Sequence, residues 1–278
     1  MNRIWGACIT LCFIVISVET VKADITAPII YLDNATPTVS LNINGEEINK
    51  IAIDTGASSA LYIPQSIFDS LFFARSHHKE IVNSSDIFGT KRSSVTTKKT
   101  NIIVNEKKLS AIDVEAFKPW GNGMVDDNGA PIINGVLGLG IIKNKIMIIN
   151  YISKMLTIAD DFSSLPASYH WKTIPFTRTE NGIELNISSA DDKKVYRMLI
   201  DTGASHTLLF TRSKAGCVEL SLACPKKNLI TPDGNKPSAL LFFIDDNRIN
   251  FDGLLGEDFL SNKIIVISND KLLISLPK

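Results

Sequence analysis

Apolar and polar positions alternate with period two along much of the chain. Val39, Leu41 and Ile43 alternate with polar neighbours, Asn44-Gly45 supplies a hairpin turn, and residues 48–53 resume an apolar run. Residues 146–149, 156–158, 240–244, 264–267 and 272–276 are short apolar runs, mostly bounded by Asn, Asp or Lys. The pattern predicts strands for all of them. Helical periodicity is sparse. Residues 64–73 fit one helix, with Pro64 near its start, and 138–144 and 256–262 fit one or two turns each. A polar stretch at 160–168, with two aspartates, three serines and Pro166, reads as a linker.

One apolar segment is different. Residues 4–18 follow Asn2 and Arg3, and Val21-Lys22-Ala23 offers small or apolar residues before a cleavage point. This is the pattern of a secretory signal peptide over 1–23. The run is shorter than the roughly 20 residues that span a bilayer. The expectation is therefore an exported chain, periplasmic or secreted, with no stable membrane insertion after cleavage. Cys8 and Cys12 leave with the leader. Cys217 and Cys224 remain, and an oxidising compartment favours a local disulfide between them over two buried thiols.

The chain repeats itself. Ile51-Ala52-Ile53-Asp54-Thr55-Gly56-Ala57-Ser58 recurs as Met198-Leu199-Ile200-Asp201-Thr202-Gly203-Ala204-Ser205, 147 residues on. A second block starting at Gly135-Val136-Leu137-Gly138 recurs 118 residues on as Gly253-Leu254-Leu255-Gly256. Met155-Leu156-Thr157-Ile158 aligns with Leu273-Ile274-Ser275-Leu276 in the same frame. Two copies are too few for a solenoid and point to a duplicated, pseudo-symmetric pair. The first half carries the greater length between its blocks.

Composition narrows the reading by exclusion. The chain has 278 residues, 45% of them hydrophobic, and 29 basic against 29 acidic groups. It is globular, and a net charge of zero gives no electrostatic case for nucleic acid. No zinc-ligand helix, phosphate loop or nucleophile elbow is present, so neither a metal nor a cofactor is implied. Each Asp ends an apolar run and enters a glycine turn. Burial there raises a carboxyl pKa, and two such turns face to face would share one proton. One carboxylate could then activate water while the other protonates a carbonyl.

These residues resemble the active-site signature of aspartic peptidases. Val136-Leu137-Gly138 and Leu254-Leu255-Gly256 resemble that family's hydrophobic-hydrophobic-glycine element, and the resemblance covers nearly all of the mature chain. Ala57 and Ala204 stand where pepsin-like members usually carry Ser or Thr, so the closer likeness is to retropepsin-like, bacterial tandem-lobed enzymes. The resemblance implies an all-β, bilobal, pseudo-twofold fold of two retropepsin-like β-barrel lobes with few short helices. The lobes are expected at 24–165 and 166–278. It implies Asp54 and Asp201 as catalytic residues, with Thr55, Gly56, Ser58, Thr202, Gly203 and Ser205 supporting the turns. Both lobes lie on one chain, so a monomer acting on a peptide or protein is expected. Flap hairpins are expected at 86–91, with Phe88 and Gly89, and at 231–236, with Gly234. Lacking the hydroxyls, the pair should work in weak acid, roughly pH 4–6. The alternative is a non-catalytic peptide- or protein-binding module on the same fold. His77, His78, His170, His206, Trp120 and Asp258 each have a simpler surface or structural reading.

Overall fold

The computed structural model describes residues 24–276 except 33–34, 73–78, 86–90, 120–124, 127, 144, 214 and 220. The leader, Phe88, Gly89, Trp120, His77 and His78 lie outside the described residues.

The described residues form three sheets and two short α-helices, Gln65–Phe72 and Glu257–Leu260. The first sheet runs, edge to edge, Ile30–Leu32, Thr36–Ile43, Glu46–Asp54, Gly135–Gly138, Leu61–Pro64, Lys107–Phe117, Lys91–Val104 and Lys79–Ser85. The second runs Thr177–Thr179, Gly182–Ser189, Val195–Ile200, Gly253–Leu255, Leu208–Thr211, Ser238–Phe243 and Lys226–Ile230.

Each of these sheets contains the same closed ring of six strands. The strand leading to Asp54 pairs parallel with Gly135–Gly138, which pairs antiparallel with Leu61–Pro64, which pairs parallel with Lys107–Phe117. The strand Val195–Ile200, leading to Asp201, follows the same sequence of parallel, antiparallel and parallel neighbours. The rings close through Ile43 opposite Val104 and through Ser188 opposite Ile230. A barrel of this kind removes most sheet edges. The third sheet joins the halves: Ile25–Pro28, Met155–Ala159, Ile146–Asn150, Ile264–Ile267, Leu272–Leu276 and His170–Thr173. At its centre Met147 lies opposite Ile267 and Asn150 opposite Ile264, so the duplicated second blocks pair with each other.

The runs Ile51-Ala52-Ile53 and Met198-Leu199-Ile200 are buried throughout. A strand between two neighbours with both faces covered needs such a continuous apolar run. Asn44 and Gly45 both take positive φ, 51° and 97°, as a two-residue type I′ hairpin loop requires. Helices fall at the places the periodicity predicts. The turn after Gly138, Leu139–Lys143, is a 3₁₀ helix. One apolar core runs through both halves, from Leu41 and Ile53 to Ile200 and Leu255.

Candidate functional site

Asp54 closes the strand Glu46–Asp54, and Asp201 follows the strand Val195–Ile200. In each turn the glycine two residues on folds its amide back onto the carboxylate. Gly56 N–H donates to Asp54 Oδ1 at 2.7 Å, and Gly203 N–H to Asp201 Oδ1 at 2.8 Å. Ala57 and Ala204 amides then donate to the aspartate carbonyls, both at 3.2 Å. Each turn is fastened from behind by the second block: Leu139 N–H reaches Ala57 O, and Glu257 N–H reaches Ala204 O, both at 2.8 Å.

The turns are tied to each other by their threonines, both fully buried. Thr55 N–H donates to Thr202 Oγ1 at 3.0 Å, and Thr202 N–H to Thr55 Oγ1 at 3.1 Å. The hydroxyls continue across the pseudo-twofold, Thr55 Oγ1 donating to Ile200 O at 2.8 Å and Thr202 Oγ1 to Ile53 O at 2.7 Å. Four buried bonds between two segments 147 residues apart fix the relative position of the aspartates.

That position is close. A methyl placed on Gly56 would sit 3.1 Å from Asp54 Oδ1 and 3.9 Å from Asp201 Oδ1. One placed on Gly203 would sit 3.2 Å from Asp201 Oδ1 and 3.6 Å from Asp54 Oδ1. Both carboxylates therefore lie within 4 Å of either point, and glycine leaves room for them. Burial, then the neighbouring Asp54 charge, pushes Asp201 up to about 7, against the opposing pull of the Gly203 and Ala204 amides. Such a pair can hold one proton between two oxygens in weak acid. It can then accept a proton from water and donate one to a carbonyl.

The remaining candidates are placed as follows. Ser58 is exposed and Ser205 half-buried, at the far ends of the turns. Gly234, at φ +93°, lies in the turn between Lys226–Ile230 and Ser238–Phe243. Thr231 and Asn235 close that turn, both bonded to Asp233, and Pro232 borders a small cavity with Pro175 and Phe176. Cys217 and Cys224 form a disulfide, with Cα atoms 5.7 Å apart. Asp258 accepts from both the amide and the hydroxyl of Thr207, at 2.8 and 2.7 Å. Among the described residues no group of three His, Cys, Asp or Glu comes together as a metal site. A groove of about 1150 Å³ lies apart from the aspartates, along Ser70, Leu71, Asn101 and Asn105.

Sequence reasoning passes over Glu257, Tyr31 and Tyr151. Glu257 and Tyr151 are buried, and Tyr31 hydrogen-bonds the Glu257 carboxyl. The signal is present in the aligned blocks, where Glu257 falls on Leu139.

No protein-family model matches the sequence, and no curated protein matches it. Solved structures do. An aspartic proteinase from Irpex lacteus aligns over 92% of this chain and 98% of its own, with a TM-score of 0.52 and 11% identity. The fold is that of an aspartic proteinase. It is bilobal and all-β, and the duplication in the sequence is the pseudo-twofold of that fold.

Proposed function

We propose that the chain is an exported aspartic endopeptidase, with Asp54 and Asp201 as its catalytic residues. The observation that carries the reading is the pair of carboxylates held around one point by the reciprocal threonine bonds. The pair shares one proton and binds a water between its oxygens. The ionised oxygen takes a proton from that water as the water attacks the peptide carbonyl carbon. The protonated carboxyl gives its proton to the carbonyl oxygen. The tetrahedral intermediate collapses as the protonated carboxyl gives its proton to the amide nitrogen, the ionised one takes a hydroxyl proton of the intermediate, and the C–N bond breaks, leaving the pair with one proton again. Thr55 and Thr202 position the two turns, and Gly56 and Gly203 supply the amides that orient the carboxylates. Ser58 and Ser205, at the far ends of the turns, are the remaining proposed turn supports.

The reading of lobes 24–165 and 166–278 is supported by the polar 3₁₀ turn Phe162–Ser164 just before Pro166. Cleavage of 1–23 and export fit the disulfide, and no helix among the described residues is long and apolar enough to cross a membrane. Both carboxylates come from one chain, which suits a monomer. The substrate is a peptide or protein in extended form, and residues 86–91 and 231–236 are the proposed flaps.

The test is incubation of the mature chain with a mixed peptide library, with and without a statine-type transition-state mimic. Cleavage blocked by the mimic is expected. Binding of peptides without cleavage would make the chain a binding module instead.

A further inference from the structure

The duplicated scaffold carries an acid under one of its two turns only. At the first turn, the amide that fastens Ala57 O belongs to Leu139, which is apolar and buried. At the second, the amide that fastens Ala204 O belongs to Glu257, which is only 8% exposed. Leucine is enough for the fastening, so the carboxyl does something the scaffold does not require.

Its surroundings say what. Tyr31, on the strand Ile30–Leu32 of the first half, hydrogen-bonds the carboxyl. Tyr151, 3% exposed, is held by its amide on Lys263 O at 3.1 Å, and it feels the charges of Glu257, Tyr31 and Asp201. Neither Glu257 Oε2 nor Tyr151 Oη has a hydrogen-bond partner among the described residues. Asp258 adds a negative charge from the same helix, while the Lys263 amine turns to Phe259 O and Asn262. Lys154 lies over the Tyr31 ring, 5.7 Å from its centre. Among the described residues no cation thus faces the carboxyl directly. An ionised Glu257 would be a buried charge with one bonded oxygen, and a neutral one places a single donor beside Tyr151.

We propose that Glu257 is a positioning residue for the Asp201 turn: its amide fastens that turn, its carboxyl ties the turn to Tyr31 of the first half, and its ionisation places a buried negative charge that repels Asp201. The proposal rests on the reading of Asp54 and Asp201 as the catalytic pair. Its geometry agrees with the direction of titration. Burial pushes Glu257 up to about 7, with the Tyr31 bond pulling it down and Asp258 pushing it further up.

The folded chain then holds the Glu257 proton more tightly than the unfolded chain does. Stability from this group is present below its ordinary value of 4.5 and falls as pH rises toward 7. Unfolding by urea at a series of pH values tests this on the intact protein. The stability slope of Glu257→Gln in that window should be smaller by about one proton. Tyr31→Phe, which removes the opposing bond, should extend the decline to higher pH. In an Asp201→Asn background the Glu257 transition should move toward acid, because one repelling charge is gone. The alkaline limb of kcat/KM for Glu257→Gln should also move toward acid, by roughly half a unit to one unit. An unchanged slope overturns the proposal, and so does a Glu257 transition that ignores Asp201→Asn. A changed slope with an unmoved alkaline limb overturns the positioning role. Wild-type chain that cleaves no peptide sinks the peptidase reading alone, since the slopes still decide whether Glu257 and Asp201 are coupled.

Discussion

Beneath Asp54 the chain packs backbone against backbone, whereas beneath Asp201 it uses side chains. A Cβ on Gly140 would lie 2.4 Å from Ala60 N and 2.7 Å from Ser58 O, so only glycine fits. In the second half Asp258 takes the place of Gly140 and Thr207 that of Ala60. There the amide and hydroxyl of Thr207 both donate to Asp258 Oδ1. The fastening of the turn carbonyls, at 2.8 Å in each half, is identical. Duplication has kept the backbone geometry that places the aspartates and let the supporting chemistry diverge. The periphery diverges too. The first half adds the strand Lys79–Ser85 and has the longer hairpin, Lys91–Phe117 against Lys226–Phe243, while the second carries the disulfide.

The broadest test of this comparison asks whether the turns are equivalent where they meet. Asp54→Asn and Asp201→Asn should each cut kcat by roughly ten-thousand-fold or more, and to a similar extent, because members of a catalytic unit fail together. The double variant should be hardly worse. Peptide cleavage by the three purified proteins measures it. If one single variant keeps substantial activity, the halves are not equal partners.

The supporting layer should respond unequally. Gly140→Asp, which imports the second half's residue, drives side-chain atoms into Ala60 and Ser58 backbone and should cost about 3 kcal/mol or more. Asp258→Gly removes two hydrogen bonds from the fully buried Thr207 and should cost about 1–3 kcal/mol. Urea unfolding at pH 6 ranks them. A larger loss at Asp258 would mean that the side-chain solution carries the greater share.

A smaller effect is expected at the staple. Cys217 and Cys224 are seven positions apart, and closing so short a loop stabilises by about 2.5 kcal/mol at most on entropic grounds. Replacing both with alanine should loosen the second half alone. Hydrogen exchange should rise around 217–224 and stay unchanged along Glu46–Asp54. Faster exchange in both halves would show that the loop braces the joint.

How much of this is legible in the sequence depends on how local the signal is. The apolar runs before Asp54 and Asp201 announce buried strands, and the helix Gln65–Phe72 shows its own periodicity. The joining sheet is hidden, because Ile25–Pro28 pairs with residues more than a hundred positions away. The strand Lys91–Val104 is hidden for another reason. Its register shifts between Thr97 and Thr100, where Lys99 has φ +52°, so alternation is broken midway. Glu257 is legible only by laying one block over the other and asking why an acid replaces Leu139. Its neighbours Tyr31 and Tyr151 are far apart in the chain and announce nothing on their own.

The finest comparison concerns the residues that both halves share against the pepsin-like pattern, Ala57 and Ala204. Each amide already holds its aspartate carbonyl, at 3.2 Å, but neither side chain can donate to the carboxylate. A hydroxyl there would favour the ionised form and lower the apparent pKa values of the pair, which belong to both groups together. Wild-type activity should fall on the alkaline side as pH passes about 7, where Asp201 loses its proton. Ala57→Ser with Ala204→Thr should move that limb toward acid, by roughly half a unit to one unit. The same change bears on stability. Asp201 folded near 7 against an ordinary 3.8 means that stability falls as pH rises between those values. The hydroxyls should flatten that decline. Ala57 is nearly fully buried and Ala204 partly exposed, so the serine must find its carboxylate or remain unpaired, whereas the threonine also has solvent. The single variants should therefore differ in stability while shifting kcat/KM in the same direction. A shift toward alkali in either profile would show that the alanines are not what holds the pair's proton in weak acid.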